Sequence, residues 1–171
     1  MKLPVVSVGF ALLLAVNAFG QGKTTGTVKC AKADPAYSLE VGDRPGHVMV
    51  LGKQACTWPE PADMAGDKTK DGVSIVSVDI TTSRETATGS HVGTTEGGDK
   101  WFVSYRYGAA MKDGKPGEIK GTWSYTGGTG KLKGIKGGGT FTSMVNDDGS
   151  VTSKVDGTYE LPAAGATKKK Q

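Results

Sequence analysis

The chain has 171 residues, 27 of them glycine, with 7% aromatic and 22% charged residues and a formal net charge of +4. That length supports one modest hydrophobic core. The basic excess is terminal: without Lys2 and the tail lysines Lys168, Lys169 and Lys170, 17 Lys and Arg face 17 Asp and Glu. The body therefore lacks the clustered positive charge of a nucleic-acid-binding face.

Lys2, the almost wholly apolar run from Val5 to Val16, and the small residues Ala18 and Gly20 have the layout of a secretory signal peptide. The apolar run is shorter than the roughly 20 residues a membrane-spanning helix needs. Cleavage after Ala18 and cleavage after Gly20 both satisfy the small-residue rule. Residues 1–20 are thus expected to be a leader, 21–162 one exported domain, and 163–171 a solvated basic tail. No second apolar run follows, so no membrane span is expected, and the destination is the periplasm or the medium. Cys30 and Cys56 are the only cysteines. An even pair in an exported chain is expected to be bridged, and the spacing excludes a CxxC redox motif.

Strand signals recur from Thr24 to Leu161. Val48-Met49-Val50-Leu51 is an apolar run behind the turn Gly42-Asp43-Arg44-Pro45-Gly46. Pro59 to Gly72 is the longest stretch without strand character, and it reads as a surface connection in preference to a lid. Val76, Val78 and Ile80 alternate with Ser77 and Asp79. Trp101, Val103, Tyr105 and Tyr107 alternate with Phe102, Ser104 and Arg106. Ile119, Trp123 and Tyr125 oppose Glu118, Lys120, Thr122 and Ser124, and Val151, Val155, Tyr159 and Leu161 share a parity. Period-two patterns of this kind mark sheets with one face inside. Turn signals at Glu96–Asp99, Lys112–Gly117 and Asn146–Gly149 separate them. No window outside the leader carries a helical stripe. About eight strands with short connections predict an all-β domain, either an up-and-down barrel or a sandwich.

Gly121 to Gly139 holds eight of the glycines, too many for a helix. Trp123, Tyr125, Leu132 and Ile135 interrupt them too regularly for a linker, so the segment reads as a tight strand–turn–strand corner. It is not a phosphate loop, because Lys131 is followed by Leu132 and Tyr125 stands where the first glycine belongs. A dinucleotide fingerprint fails as well, since Gly134 falls one position late. Gly89-Ser90-His91-Val92-Gly93 does not have the spacing of a nucleophile elbow. His47 and His91, the only histidines, read as surface or rim residues with no shared task. They show no metal-ligand spacing, and neither a metal nor a cofactor is expected.

The order Gly121-Thr-Trp-Ser-Tyr, Gly127-Gly128-Thr129-Gly130-Lys131-Leu132-Lys133-Gly134, then Gly137-Gly138-Gly139-Thr140-Phe141 resembles small exported bacterial proteins of uncharacterised function. It is also similar to the strand–turn–strand signature of the allene oxide cyclase and dirigent-protein barrels. Gly46-His47-Val48 and Gly98-Asp99-Lys100-Trp101 resemble the bacterial group more specifically. The match to the plant families covers about a fifth of the chain. What it implies is a single antiparallel, calycin-like barrel of about eight strands; it assigns no catalytic residue, and fold alone does not give function.

Trp101, Tyr105 and Tyr107 are expected to face Trp123 and Tyr125 across the ladder closed by the Lys112–Gly117 turn. Ordinary packing accounts for such a set, and in a barrel the same five rings suit an apolar ligand cavity. Arg106 and Glu118, on the opposite parity, are placed for an exposed ion pair. Three functions stay open: a non-enzymatic barrel binding a small apolar or amphipathic molecule, a cyclase- or dirigent-like enzyme or stereochemical guide, and a structural envelope protein with a filled barrel. Oligomeric state is left open. N-terminal sequencing of exported protein is expected to begin between Phe19 and Gln21; an intact Met1 or Lys2 would refute the leader assignment.

Overall fold

A computed structural model of the protein describes residues 20–162. The expected leader, apart from Gly20, and the expected tail 163–171 lie outside the described residues. Twelve strands follow in order: β1 (Gly20–Lys23), β2 (Gly26–Cys30), β3 (Ala36–Glu40), β4 (Val48–Glu60), β5 (Asp63–Met64), β6 (Asp67–Ile80), β7 (Arg84–Thr95), β8 (Lys100–Lys112), β9 (Lys115–Pro116), β10 (Ile119–Gly128), β11 (Lys136–Val145) and β12 (Val151–Leu161). A 3-10 turn at Gly130–Leu132 joins β10 to β11.

Eight of these strands close on themselves. Going round, β2 pairs β4, β4 pairs β6, and the ladder continues through β7, β8, β10, β11 and β12 back to β2, every pair antiparallel. The result is the eight-stranded antiparallel barrel, and the sandwich alternative falls. β1 continues the line of β2 along β12, and β3 adds to the first half of β4, beyond the point where β2 ends. Closure satisfies the backbone of the wall without leaving an edge there.

The expected parities hold. Trp123 lies opposite Tyr105, and Tyr125 lies opposite Val103, so the five predicted rings share the inner face. Several rings stand directly across the ladder from a glycine: Tyr105 from Gly89, Trp101 from Gly93, Phe141 from Gly121 and Tyr159 from Gly22. In each pair a Cβ on the glycine would collide with the ring itself. The glycines thus let the rings lie flat along the wall.

Cys30 and Cys56, directly opposite each other on β2 and β4, form a disulfide across 26 residues of sequence. Cross-linking a loop of that size stabilises the fold by about 3 kcal/mol through the unfolded chain. The bond ties β4 to the short strand β2.

Three expectations need correction. Pro59–Gly72 is not a surface connection. β4 runs to Glu60 and β6 starts at Asp67, with the turn made by Ala65 (φ 56°) and Gly66 (φ 79°). Its Ala62, Met64 and Thr69 are among the most buried residues, because the turn folds inward and plugs the barrel end. Arg106 and Glu118 do not pair: Glu118 meets Lys120 at 2.8 Å, while Arg106 Nε donates to Thr122 Oγ1 at 3.4 Å. His91 is not at the surface; it points into the barrel from β7, on the same parity as Glu85 and Ala87.

The glycine corner delivers Leu132 and Ile135, 1% and 3% exposed, to that plugged end. Gly130 (φ 50°) and Gly134 (φ 79°) are left-handed, and a Cβ on Gly128 would lie 2.5 Å from the Leu132 carbonyl oxygen. Asp99 pins the turn by accepting the Lys131 N–H at 3.0 Å. Gly130→Ala is expected to cost about 1–3 kcal/mol, as for residues forced into strained backbone. Lys131→Ala and Lys133→Ala should stay within about 0.5 kcal/mol. Urea-unfolding midpoints check both, and a neutral Gly130→Ala would contradict the structural role of this corner.

Candidate functional site

The barrel interior holds a cavity of about 430 Å³. At one end it is sealed by Ala62, Met64, Leu132 and Ile135. Tyr125 closes the same end with its hydroxyl 2.7 Å from Thr24 Oγ1, and the Tyr159 hydroxyl accepts the Ala65 N–H at 2.8 Å. At the other end the cavity reaches the exposed residues Lys32 and Val145, where β2 stops and β12 begins. The space therefore has a floor and a mouth.

Trp101, Tyr105, Tyr107, Trp123 and Tyr125 all line this cavity. Trp101, Trp123 and Tyr125 are buried toward the floor, whereas Tyr105 and Tyr107 are half-buried along the wall. Trp123 and Tyr125 meet edge-on with centroids 5.0 Å apart, and Trp58 meets Trp101 edge-on at 6.0 Å. Such T-shaped contacts satisfy the ring quadrupoles.

Polar side chains interrupt the apolar lining, among them Thr24, Gln54 and the Ser143–Ser153 pair, whose hydroxyls lie 2.7 Å apart; two further stations carry an imidazole or a carboxyl. The first is His91, whose Nδ1 lies 2.9 Å from Ser74 Oγ, with Ser74 also 3.9 Å from Cys56 Sγ. Burial pulls His91 down to about 4, so the ring is neutral at physiological pH. Its Nε2 and the Trp58 Nε1 are buried without a hydrogen-bond partner. The second station is Glu85, which accepts the Tyr107 hydroxyl at 2.9 Å. Burial raises the Glu85 carboxyl, and burial together with the Glu85 charge pushes the Tyr107 hydroxyl up. Tyr107 therefore remains a donor at every ordinary pH. The other histidine, His47, is apart from the cavity, its ring held between the carboxylates of Asp43 and Asp79. Hydrogen bonding to His47 is the main reason the Asp43 carboxyl is lowered.

Glu85, Ser74 and Trp58 escaped the sequence reading, and His91 was read there as a surface or rim residue. The inward residues of β7 are Glu85, Ala87, Gly89, His91, Gly93 and Thr95, a mixture of polar and very small side chains. No apolar alternation is visible there, because the rings that cover this stave belong to β8. A usable signal was present in the glycines of β7, which fall opposite Trp101 and Tyr105 once the hairpin turn at Glu96–Asp99 sets the register.

No protein-family model matches the chain, and no curated protein does. Among solved structures, the chain is similar to the pterocarpan synthase dirigent protein GePTS1, with 10% identity and a TM-score of 0.49 over 92% of this chain and 98% of that one. It is also similar to a protein of unknown function of the DUF3224 family from Shewanella oneidensis MR-1, with 15% identity and a TM-score of 0.39 over 82% of this chain and 96% of the other. The barrel itself rests on the closed ladder described above.

The depressed His91 has a thermodynamic consequence. Between its ordinary 6.5 and about 4, the unfolded chain binds a proton there that the folded chain does not, so stability falls as pH falls through that window. The full effect is at most about 3 kcal/mol. The raised Glu85 carboxyl has the opposite sign, losing stability as pH rises through its folded value. The difference in unfolding free energy between wild type and His91→Gln should therefore be level above pH 6.5 and decline toward pH 4. A level difference throughout would refute the buried, neutral imidazole.

Proposed function

We propose that this protein binds a small apolar or amphipathic molecule inside the barrel and does not transform it. The cavity carries this reading: about 430 Å³, floored at one end, reaching exposed residues at the other, and lined mainly by aliphatic and aromatic side chains. That size and lining match the general composition of small-molecule sites. The five candidate residues Trp101, Tyr105, Tyr107, Trp123 and Tyr125 would form most of the contact surface.

Binding is favoured over cyclase- or dirigent-like chemistry by the spacing of the polar stations. Glu85 and His91 are six residues apart on β7, roughly 20 Å along an extended strand. An acid and a base that far apart do not act on one reacting atom. The structural reading with a filled barrel is disfavoured by the cavity. Export is part of the proposal, supported by the leader-like sequence and by the Cys30–Cys56 disulfide. Among the described residues no helix is long and apolar enough to cross a membrane.

Native mass spectrometry of protein from its own host is expected to show a bound small molecule, released unchanged on denaturation. All three tryptophans line the cavity, so refilling the emptied barrel should also alter intrinsic fluorescence. Ligand-free protein whose fluorescence ignores every apolar probe would overturn the reading. Recovery of a chemically altered ligand would favour the catalytic one.

A further inference from the structure

Among the described residues, two charged side chains line the cavity, Lys32 and Glu85. Lys32 is exposed, with its methylenes against the Gly149 turn at the mouth. Glu85 is only 7% exposed. On its own stave and the neighbouring ones it faces Ala87, Ile80 and Ala109, none of which is charged. Its Oε1 accepts the Tyr107 hydroxyl, and among the described residues no protein donor reaches Oε2. The wall beside it is aromatic. Phe141 meets Tyr107 edge-on at 6.4 Å and 83°, and meets Tyr105 at 6.2 Å and 87°.

A buried carboxyl with one oxygen free, set among aromatic rings, has the chemistry of an ammonium receptor. The carboxylate supplies charge and an N–H acceptor, and ring faces add cation–π attraction. We propose that Glu85 Oε2, flanked by Tyr107 and Phe141, binds the ammonium head of an amphipathic amine whose apolar tail runs along the barrel toward Trp101 and Trp123. The proposal rests on the cavity-binding reading above and adds the class of ligand. Burial disfavours the Glu85 charge when the protein is unliganded, and the Tyr107 hydrogen bond offsets this only in part. An arriving cation supplies the missing partner and favours the ionised carboxylate. A fatty anion would instead place its carboxylate in the same apolar surroundings as Glu85, or turn its head to Lys32 at the mouth.

Calorimetric titration at neutral pH with decylammonium chloride, 1-decanol and sodium decanoate tests the assignment. Decylammonium is expected to bind at least about tenfold more tightly than decanol, and decanoate least tightly of the three. Glu85→Gln, which keeps an acceptor for Tyr107, should bring amine and alcohol within about twofold of each other. Equal affinities for amine and alcohol in the wild type would overturn the ammonium assignment and leave the cavity reading standing, as would a preference that survives Glu85→Gln. Tightest binding by decanoate would transfer the head group to Lys32 and overturn it equally. Failure of all three probes, the uncharged alcohol included, would sink the cavity reading and this one with it. Should Glu85→Gln fail to fold, the wild-type ranking decides by itself.

Discussion

Everything inside this barrel depends on how its aromatic rings are seated. Across neighbouring strands, Tyr105 faces Gly89, Trp101 faces Gly93 and Phe141 faces Gly121, and each ring occupies the space a Cβ would take. Glycine in a strand is a liability, because it loses more entropy on folding and offers no side chain to pack. The ring laid over it supplies the buried surface the glycine lacks. Because the rings lie along the wall, they cover its backbone without filling the centre. A Cβ in those positions would collide with the rings and displace them.

The same economy explains why the two ends differ. The floor is built by two turns that send apolar residues inward, Ala62 and Met64 from the β4–β6 connection and Leu132 and Ile135 from the glycine corner. Left-handed residues make both turns possible: Ala65 and Gly66 in the first, Gly130 and Gly134 in the second. At the opposite end β2 stops at Cys30, and β3 takes over its place beside β4 farther out. The disulfide holds β2 to β4 just where the stave ends. Polarity is distributed along the axis in step with this, with His91 and Ser74 between floor and wall and Glu85 with Tyr107 six residues farther along β7.

Those two polar stations differ in what they leave unsatisfied. His91 is neutral and covered, so its contribution is to stability and to its pH dependence. Glu85 keeps an oxygen that no donor among the described residues reaches, and the other charged side chain of the lining, Lys32, is at the mouth. Burying such a group costs free energy unless something pairs with it. That oxygen is the feature on which the proposed ammonium selectivity rests.

Much of this architecture is legible in the sequence. Period-two alternation around Trp101–Tyr107 and Ile119–Tyr125, with the turn between them, was enough to place five rings on one face, since side-chain direction in a strand depends only on residue parity. The tight corner at Gly121–Gly139 was an equally local inference, whereas the Cys30–Cys56 pairing followed from an even cysteine count in a chain read as exported. β7 was not legible, because its inward positions are glycine, alanine, histidine, threonine and glutamate, and the rings that cover this stave belong to another strand. Pro59–Gly72 misled for the related reason that prolines and charges suggest a surface turn, while the burial of Met64 is decided by what closes the barrel end. The sequence by itself therefore determined which residues share a face and where the chain turns, properties carried by neighbours along the chain. Only the tertiary structure decided that the sheet closes, that a cavity remains within it, and that Glu85 and His91 are inside, because each depends on contacts between staves far apart in sequence.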